Sequence, residues 1–225
     1  MSRPLALIIG ASGPVGQAAT RSLAKTHRIA ATSRRGVAGL TGLVDDCLPF
    51  QLEALEDASW QRLLASLPQA PQTVIHCIGD FALIDLDQMN PEHFDALISS
   101  NLQTAFRTYH YLGPRLRTQT KSSLLYFGLA HSQSSQAEPR ISAYYAAKQG
   151  LCSLVKSIAL QEAKHGLACS MIAPGFVAGA PQPSTTTQEP VPETQLMAAI
   201  EGLTGPLAQQ LSGTILDLSG GWRLR

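Results

Sequence analysis

The sequence predicts an α/β protein built on a doubly wound parallel sheet of about seven strands in a single domain. Three observations predict it. Short apolar runs alternate with longer stretches of helical periodicity along the chain, the pattern of repeated βαβ units. A glycine-rich turn joins the first apolar run to the first helix. The 225 residues, 44% hydrophobic and 15% charged, suit one large buried core and are few for two.

Each element has its own signal. Pro4–Gly10 reads as a buried strand, and Pro14–Lys25 as a helix with proline in its first turn. Arg28–Ser33 reads as a second strand and Cys47–Glu53 as a third, where Pro49 suits a sheet edge. A helix over Ala58–Leu67 leads to a strand over Gln72–Gly79. Asn90 caps a long helix that starts at Pro91 and runs to Leu116. Ser122–Gly128 is a strand, and Ser142–Gly166 a long helix closed by its terminal glycine. Leu167–Gly175 and Gly213–Gly221 complete the sheet. The Pro/Thr-rich stretch Ala180–Glu193 reads either as a mobile connection or as a flap over a site.

Composition excludes several classes. Seventeen Lys+Arg against sixteen Asp+Glu give +1, with neither a basic bias for nucleic acid nor an acidic tail. Cys47, Cys77, Cys152 and Cys169 are scattered, which points to reduced thiols rather than a disulfide frame or a metal site. No signal peptide is visible and no apolar run reaches membrane-spanning length, so a cytoplasmic protein is expected.

The turn "IIGASGPVGQ" spaces Gly10, Gly13 and Gly16 three apart between a strand and a helix. One glycine would make the turn, one would admit a pyrophosphate, and one would let helix and strand pack closely. Such a loop is the phosphate-binding part of a Rossmann-type dinucleotide fold, with Ser12, Pro14 and Val15 beside it. The second strand ends without an acid at Thr32 or Ser33, and Arg34 and Arg35 follow. An arginine there suits a 2′-phosphate, so NADP(H) is expected over NAD(H), although either arginine could be a solvated surface charge.

On the helix from Ser142, Tyr144, Lys148, Leu151, Val155 and Ile158 share one stripe, flanked by Cys152 and Leu154, while Tyr145 falls toward its edge. A lysine within an apolar stripe either snorkels to water or has its charge used. In the second case its ammonium lowers the pKa of a neighbouring phenol, which then exchanges a proton with a carbonyl or alcohol.

With these residues in place, the chain resembles the short-chain dehydrogenase/reductase family over nearly all its length. Gly10, Gly13 and Gly16 look like its cofactor loop, at the spacing of its longer members. "YYAAK" matches its Tyr-x-x-x-Lys, which implies Tyr144 as general acid/base and Lys148 as the residue holding the nicotinamide ribose and depressing the phenol pKa. "SSNLQTAF" resembles the segment that supplies the helix asparagine, here Asn101, which helps hold a relay water. "IAPGFV" resembles the segment packing on the nicotinamide, implying contacts from Pro174, Gly175 and Val177. The same resemblance places Gln51 and Leu52 at the adenine, and Cys77, Ile78 and Gly79 ("HCIG") where the family has Asn-Asn-Ala-Gly. It implies one NAD(P)-binding domain over 1–225 with a short substrate flap at about 178–192, no metal, and a homodimer or homotetramer formed through Pro91–Leu112 and Ser142–His165. The family's catalytic serine is missing: strand alignment puts Gly128 and Leu129 at the serine pair, leaving His131, Ser132 or Ser134 as donors if the loop folds back.

The function expected is hydride transfer between NADP(H) and a carbonyl or alcohol, a 3-oxoacyl thioester or similar ketone being one candidate substrate. The alternative is a catalytically weak or silent NADP(H)-binding sensor or scaffold. A nucleotide-sugar epimerase-like enzyme, suggested by the glycine spacing, ranks last because the chain is too short for that class's substrate region.

Overall fold

The computed structural model describes residues 3–40, 42–180 and 189–221. Seven strands form one parallel sheet in the order β3-β2-β1-β4-β5-β6-β7. They are β1 (Leu5–Ile9), β2 (Arg28–Ser33), β3 (Leu48–Gln51), β4 (Thr73–His76), β5 (Ser122–Phe127), β6 (Leu167–Pro174) and β7 (Ile215–Leu218). Helices α1 (Pro14–Leu23), α2 (Asp57–Ser66), α3 (Pro91–Ile98), α4 (Thr104–Leu116), α5 (Ser142–Glu162) and α6 (Glu193–Thr204) cover its two faces.

The alternation of side chains along β1 shows how both faces are made. Leu5, Leu7 and Ile9 pack with Leu63 of α2, Leu112 of α4 and Leu151 of α5. Ala6 and Ile8 pack with Ala18 of α1 and Ile200 of α6. A strand buried on both faces needs a continuous apolar run, and "LALII" supplies it. Pro49, with no N–H to donate, lies in the edge strand β3 as the sequence requires. Asn90 caps α3 by accepting from the His93 N–H at 2.8 Å, and Gly166 closes the α5 end in the left-handed conformation at φ 66°.

The structure departs from the expected elements in three places. The strand read over Gln72–Gly79 stops at His76, so Cys77, Ile78 and Gly79 are free to line a crevice. Helix α6, whose Leu196, Ile200 and Leu203 face the core, is an element that the sequence reading did not place. The single helix read from Pro91 to Leu116 contains one wide π-helical turn, Ser99–Gln103. Thr104 Oγ1 donates to the Ser100 carbonyl at 2.6 Å, and Thr108 Oγ1 to the Thr104 carbonyl at 3.0 Å. Side-chain hydroxyls thus satisfy carbonyls at the exit of this turn, which carries Asn101 in the buried wall.

Strand order reverses between β1 and β4, and the carboxyl ends of these two strands open a crevice there. Of the flap expected at 178–192, residues 181–188 lie outside the described residues. Its base is closed: Val177 and Val191 form a parallel bridge, in which the Val191 N–H donates to the Phe176 carbonyl at 2.6 Å. No described helix is long and apolar enough to cross a membrane.

Candidate active site

The three glycines meet three separate demands. Gly10 turns the chain at φ +82°, and a Cβ there would lie 2.8 Å from Ile78 Cγ1. Its N–H donates to Thr32 Oγ1 at 3.1 Å, tying the ends of β1 and β2 together. At Gly16 a Cβ would sit 2.4 Å from the Gly10 carbonyl oxygen, so only a bare backbone lets α1 approach β1 so closely. Gly13 opens outward, with nothing within 4 Å of where a Cβ would be. Gly13 is also the N-cap of α1, where no side chain accepts the first-turn N–H groups and no acid occupies the first turn. These free donors and the open space beside Gly13 fit a bound pyrophosphate. Gly16→Ala is expected to destabilise the fold by about 1–3 kcal/mol through overpacking against backbone. In a chain of this size, thermal denaturation should register a loss of roughly 2–4 °C per kcal/mol.

Two adjoining cavities fill the crevice. The larger, about 490 Å³, is lined by Gly10, Ser12, Gly13, Ser33, Arg34 and Leu52 among others. The other, about 290 Å³, is lined by Gly13, Pro14, Val15, Gly16, Tyr144, Lys148, Pro174, Gly175 and Val177, with an apolar remainder that includes Phe81 and Phe176. Both share Gly13, Cys77, Ile78 and Gly79, so the end of β4 is their common wall. Most residues singled out from the sequence for a cofactor therefore converge. Arg35 and Gln51 line neither cavity. Gln51 is exposed and spends its amide on the Arg34 carbonyl at 3.2 Å, while the Arg35 N–H donates to Ser33 Oγ at 3.1 Å and its side chain points to solvent.

Helix α5 delivers two side chains to the smaller cavity. Lys148 is 4% exposed, and its Nζ donates to the Phe127 carbonyl at 2.9 Å, which fixes the ammonium at the end of β5. The same Nζ lies 5.4 Å from the centre of the Tyr144 ring. Phe81 meets that ring edge-on, with centroids 5.1 Å apart. Burial pushes Lys148 down to about 8 and Tyr144 up to about 12. A phenol depressed by its lysine was expected; in the protein alone the shift runs upward, and burial is its cause.

Tyr145 is also more than edge packing. It is buried, and its hydroxyl donates to the carbonyls of His131 at 3.0 Å and Ser134 at 2.7 Å. It holds the loop after β5, and Tyr144 alone of the two faces the cavity. Asn101 is fully buried behind Gly79 and lines neither cavity. Its Nδ2 donates to the carbonyls of Asp80 at 2.8 Å and Leu97 at 3.0 Å, but its Oδ1 has no hydrogen-bond partner. A Cβ on Gly79 would lie 2.4 Å from this oxygen and 3.3 Å from Lys148 Nζ. Gly79 is thus the gap through which the orphan acceptor and the ammonium approach each other.

The hydroxyl donor expected near Tyr144 is absent from the described lining. At Gly128 a Cβ would lie 2.5 Å from Met171 Cε, so Met171 fills the space a side chain there would need. Leu129 lines the cavity instead. The suggested substitutes point elsewhere. Ser132 is buried with its Oγ 3.3 Å from Cys152 Sγ, Ser134 Oγ donates to the His131 carbonyl at 2.9 Å, and the His131 imidazole has its Nδ1 3.9 Å from the Asp217 carboxylate. His76, in place of the family's first asparagine, is buried against Thr108, with its Nδ1 2.9 Å from the Thr108 hydroxyl, and burial lowers it to about 3, so it is neutral at physiological pH. Phe81, Phe127 and Phe176 are site residues that sequence reasoning missed: Phe81 and Phe127 lie in a loop and at a strand end without a motif, and Phe176 lies within "IAPGFV" but was not singled out there.

Known proteins match this arrangement. The curated D-beta-hydroxybutyrate dehydrogenase of Rhizobium meliloti is 25% identical, over 96% of this chain and 97% of its own. The 3-oxoacyl-[acyl-carrier-protein] reductase FabG of Staphylococcus epidermidis is 22% identical over 76% of this chain and 74% of its own. Among solved structures, an oxidoreductase of the short chain dehydrogenase/reductase family from Burkholderia thailandensis superposes with a TM-score of 0.86 at 23% identity, covering 100% of this chain and 94% of that one. The profile of the short chain dehydrogenase family matches residues 4–190. With the sheet order, the glycine turn and the Tyr-x-x-x-Lys helix all in place, the chain belongs to the short-chain dehydrogenase/reductase family, whose members are oxidoreductases that use nicotinamide cofactors.

Proposed function

We propose that this protein is an NADP(H)-dependent carbonyl reductase in which Tyr144 is the general acid/base, Lys148 its electrostatic partner and Asn101 the anchor of a relay water. The observation that carries the proposal is the placement of Tyr144 and Lys148 on the cavity wall that meets the glycine turn. A bound nicotinamide cofactor would supply the hydride. The chain's own residues would do the rest. The α1 N-terminus would hold the pyrophosphate, with Ser33 and Arg34 toward the adenosine end and Pro174, Gly175 and Val177 toward the nicotinamide end. Tyr144, protonated at neutral pH, would donate its proton to the nascent alkoxide. The Lys148 ammonium would stabilise the phenolate left behind, and a water between it and Asn101 Oδ1 would return the proton.

Arg34 supports NADP(H): among the described residues it is the one cation lining the larger cavity, next to a strand end without an acid. Glu53 and Glu56 line the same cavity, so the arginine must be tested directly. Arg34→Ala is expected to raise the NADPH dissociation constant about tenfold, as for one lost charge-assisted contact, and to leave NADH nearly unaffected. Nicotinamide fluorescence titration reads both; equal effects would return Arg34 to the surface. The same titration, followed by a ketone panel, tests the function. If neither cofactor binds, the reading fails.

The second reading is a silent NADP(H)-binding protein, favoured by the loss of a hydroxyl at Gly128 and Leu129. Tight cofactor binding with no turnover on a broad panel would establish it. Exposed Phe106 on α4 and Leu160 on α5 support assembly into a homo-oligomer through these helices.

A further inference from the structure

The part of the smaller cavity left over after cofactor and proton transfer has an unusual chemical uniformity. Its described lining contains no Asp, Glu, Arg, His, Ser, Thr, Asn or Gln side chain. Among the described residues, what remains for a substrate to touch is Phe81, Leu129, Phe176 and Ala180. Phe81 is 41% exposed, although its ring stands directly against Tyr144, so a substrate placed at the phenol would cover it.

The sequence narrows the other sources of charge. From Gly166 to Trp222 there is no lysine, arginine or histidine, while Glu189, Glu193, Glu201 and Asp217 fall in that stretch. Residues 166–222, flap included, can therefore bring no cation to the site; Arg223 and Arg225 lie outside the described residues. Lys148 is the single cation of the described lining, and its ammonium is held by the Phe127 carbonyl. Arg140, in the loop before α5, lies 3.7 Å from Asp85, whose own segment is tied to Arg140 by the Ile84 N–H at 2.9 Å. A carboxylate or phosphate entering this cavity would lose its water and meet, among the described residues, no cation but the already engaged Lys148, which disfavours it.

We propose, resting on the reductase reading above, that the substrate is an uncharged ketone carrying an apolar, aromatic substituent that packs on Phe81, and that the site rejects oxo acids. In this respect it differs from the relative named for hydroxybutyrate, whose substrate is an acid. Phe81 is the specificity-determining residue: its edge contact with Tyr144 orients the phenol, and its exposed face receives the ring next to the carbonyl.

A matched set of probes tests this with the full chain and NADPH. Acetophenone presents an aryl ketone, 4-acetylbenzoate the same ketone with a carboxylate, and 3-oxobutanoate a small oxo acid. The expected kcat/KM for acetophenone exceeds that for each acid by on the order of 100-fold. Calorimetric titration of the NADPH-loaded protein should show heat with acetophenone and none with 4-acetylbenzoate at the same concentration. Phe81→Ala should raise the KM for acetophenone about tenfold, as for a truncated aromatic contact, with the NADPH dissociation constant unchanged. Phe81→Arg should shift the ratio toward 4-acetylbenzoate. Comparable efficiency for the acids in the wild-type protein would overturn the substrate class while leaving the reductase intact. No turnover of any ketone despite tight NADPH binding would overturn the reductase reading, and this inference with it.

Discussion

Tyr144→Phe is expected to lower kcat for ketone reduction by about 10²–10⁴-fold, the usual worth of a positioned proton donor, while NADPH affinity and melting temperature stay at wild-type values. The substitution removes one oxygen and leaves the ring, so the edge contact with Phe81 and the position over Lys148 survive. The neighbouring substitution makes the opposite trade. Tyr145→Phe removes a hydroxyl that serves two loop carbonyls, those of His131 and Ser134. Both carbonyls keep another donor, Ser134 Oγ at that of His131 and Gln149 Nε2 at that of Ser134, so the change should cost about 0.5–1.5 kcal/mol of stability, the net worth of a lost hydrogen bond, and leave kcat nearly unchanged. Full activity in Tyr144→Phe together with its loss in Tyr145→Phe would reverse the two roles. The ionisation directions add a pH signature. A phenol held up at about 12 is an acid at neutral pH, which suits reduction. Lys148, brought down from 10.5 to about 8, loses its charge as pH rises through that value. Reduction should therefore be flat below pH 8 and fall above it, whereas alcohol oxidation, which needs the phenol deprotonated, should climb with pH.

Much of this site is legible in the sequence because it is local. The glycine spacing, the apolar "LALII" before it and Pro14 after it lie within a dozen residues, and the structure has the turn at Gly10, the open space at Gly13 and the close helix–strand approach at Gly16 that the spacing implies. The Tyr-x-x-x-Lys pair is likewise one turn of a helix. The features that stayed hidden arise from contacts between distant segments. Nothing in "SSNLQT" contains the proline or glycine that usually announces a helix defect, yet the turn there widens and brings Asn101 inward. Tyr145 looks like an edge residue until the loop after β5 folds its carbonyls onto the hydroxyl. The direction of the Tyr144 shift is set by how much water the cavity excludes, which no spacing reveals. Helix α6 was missed because only three core positions, Leu196, Ile200 and Leu203, carry its periodicity behind a proline-rich lead. The absent serine is the instructive case. Its loss is visible at Gly128 and Leu129, but what a side chain at the first of them would have to displace lies about forty residues on, at the end of the Met171 side chain.

Leu129→Ser should raise kcat for ketone reduction by about 10²-fold, the lower end of what one oxyanion-type donor contributes. Leu129 lines the same cavity as Tyr144, so a serine there can present its hydroxyl to the carbonyl oxygen that receives the Tyr144 proton. The smaller side chain also vacates apolar volume, which should raise KM for apolar ketones modestly, and a gain in kcat against a rise in KM separates the two effects. Gly128→Ser is the control. Its Cβ would meet Met171 Cε at 2.5 Å, so the expected result is lost stability with no gain in rate. If neither variant gains and both still bind NADPH tightly, the leucine is no mere handicap to a working reductase, and the protein's use of its cofactor must be sought in binding rather than turnover. If Leu129→Ser accelerates the reaction as expected, the wild-type protein is a reductase held slow by a single apolar side chain at the end of β5.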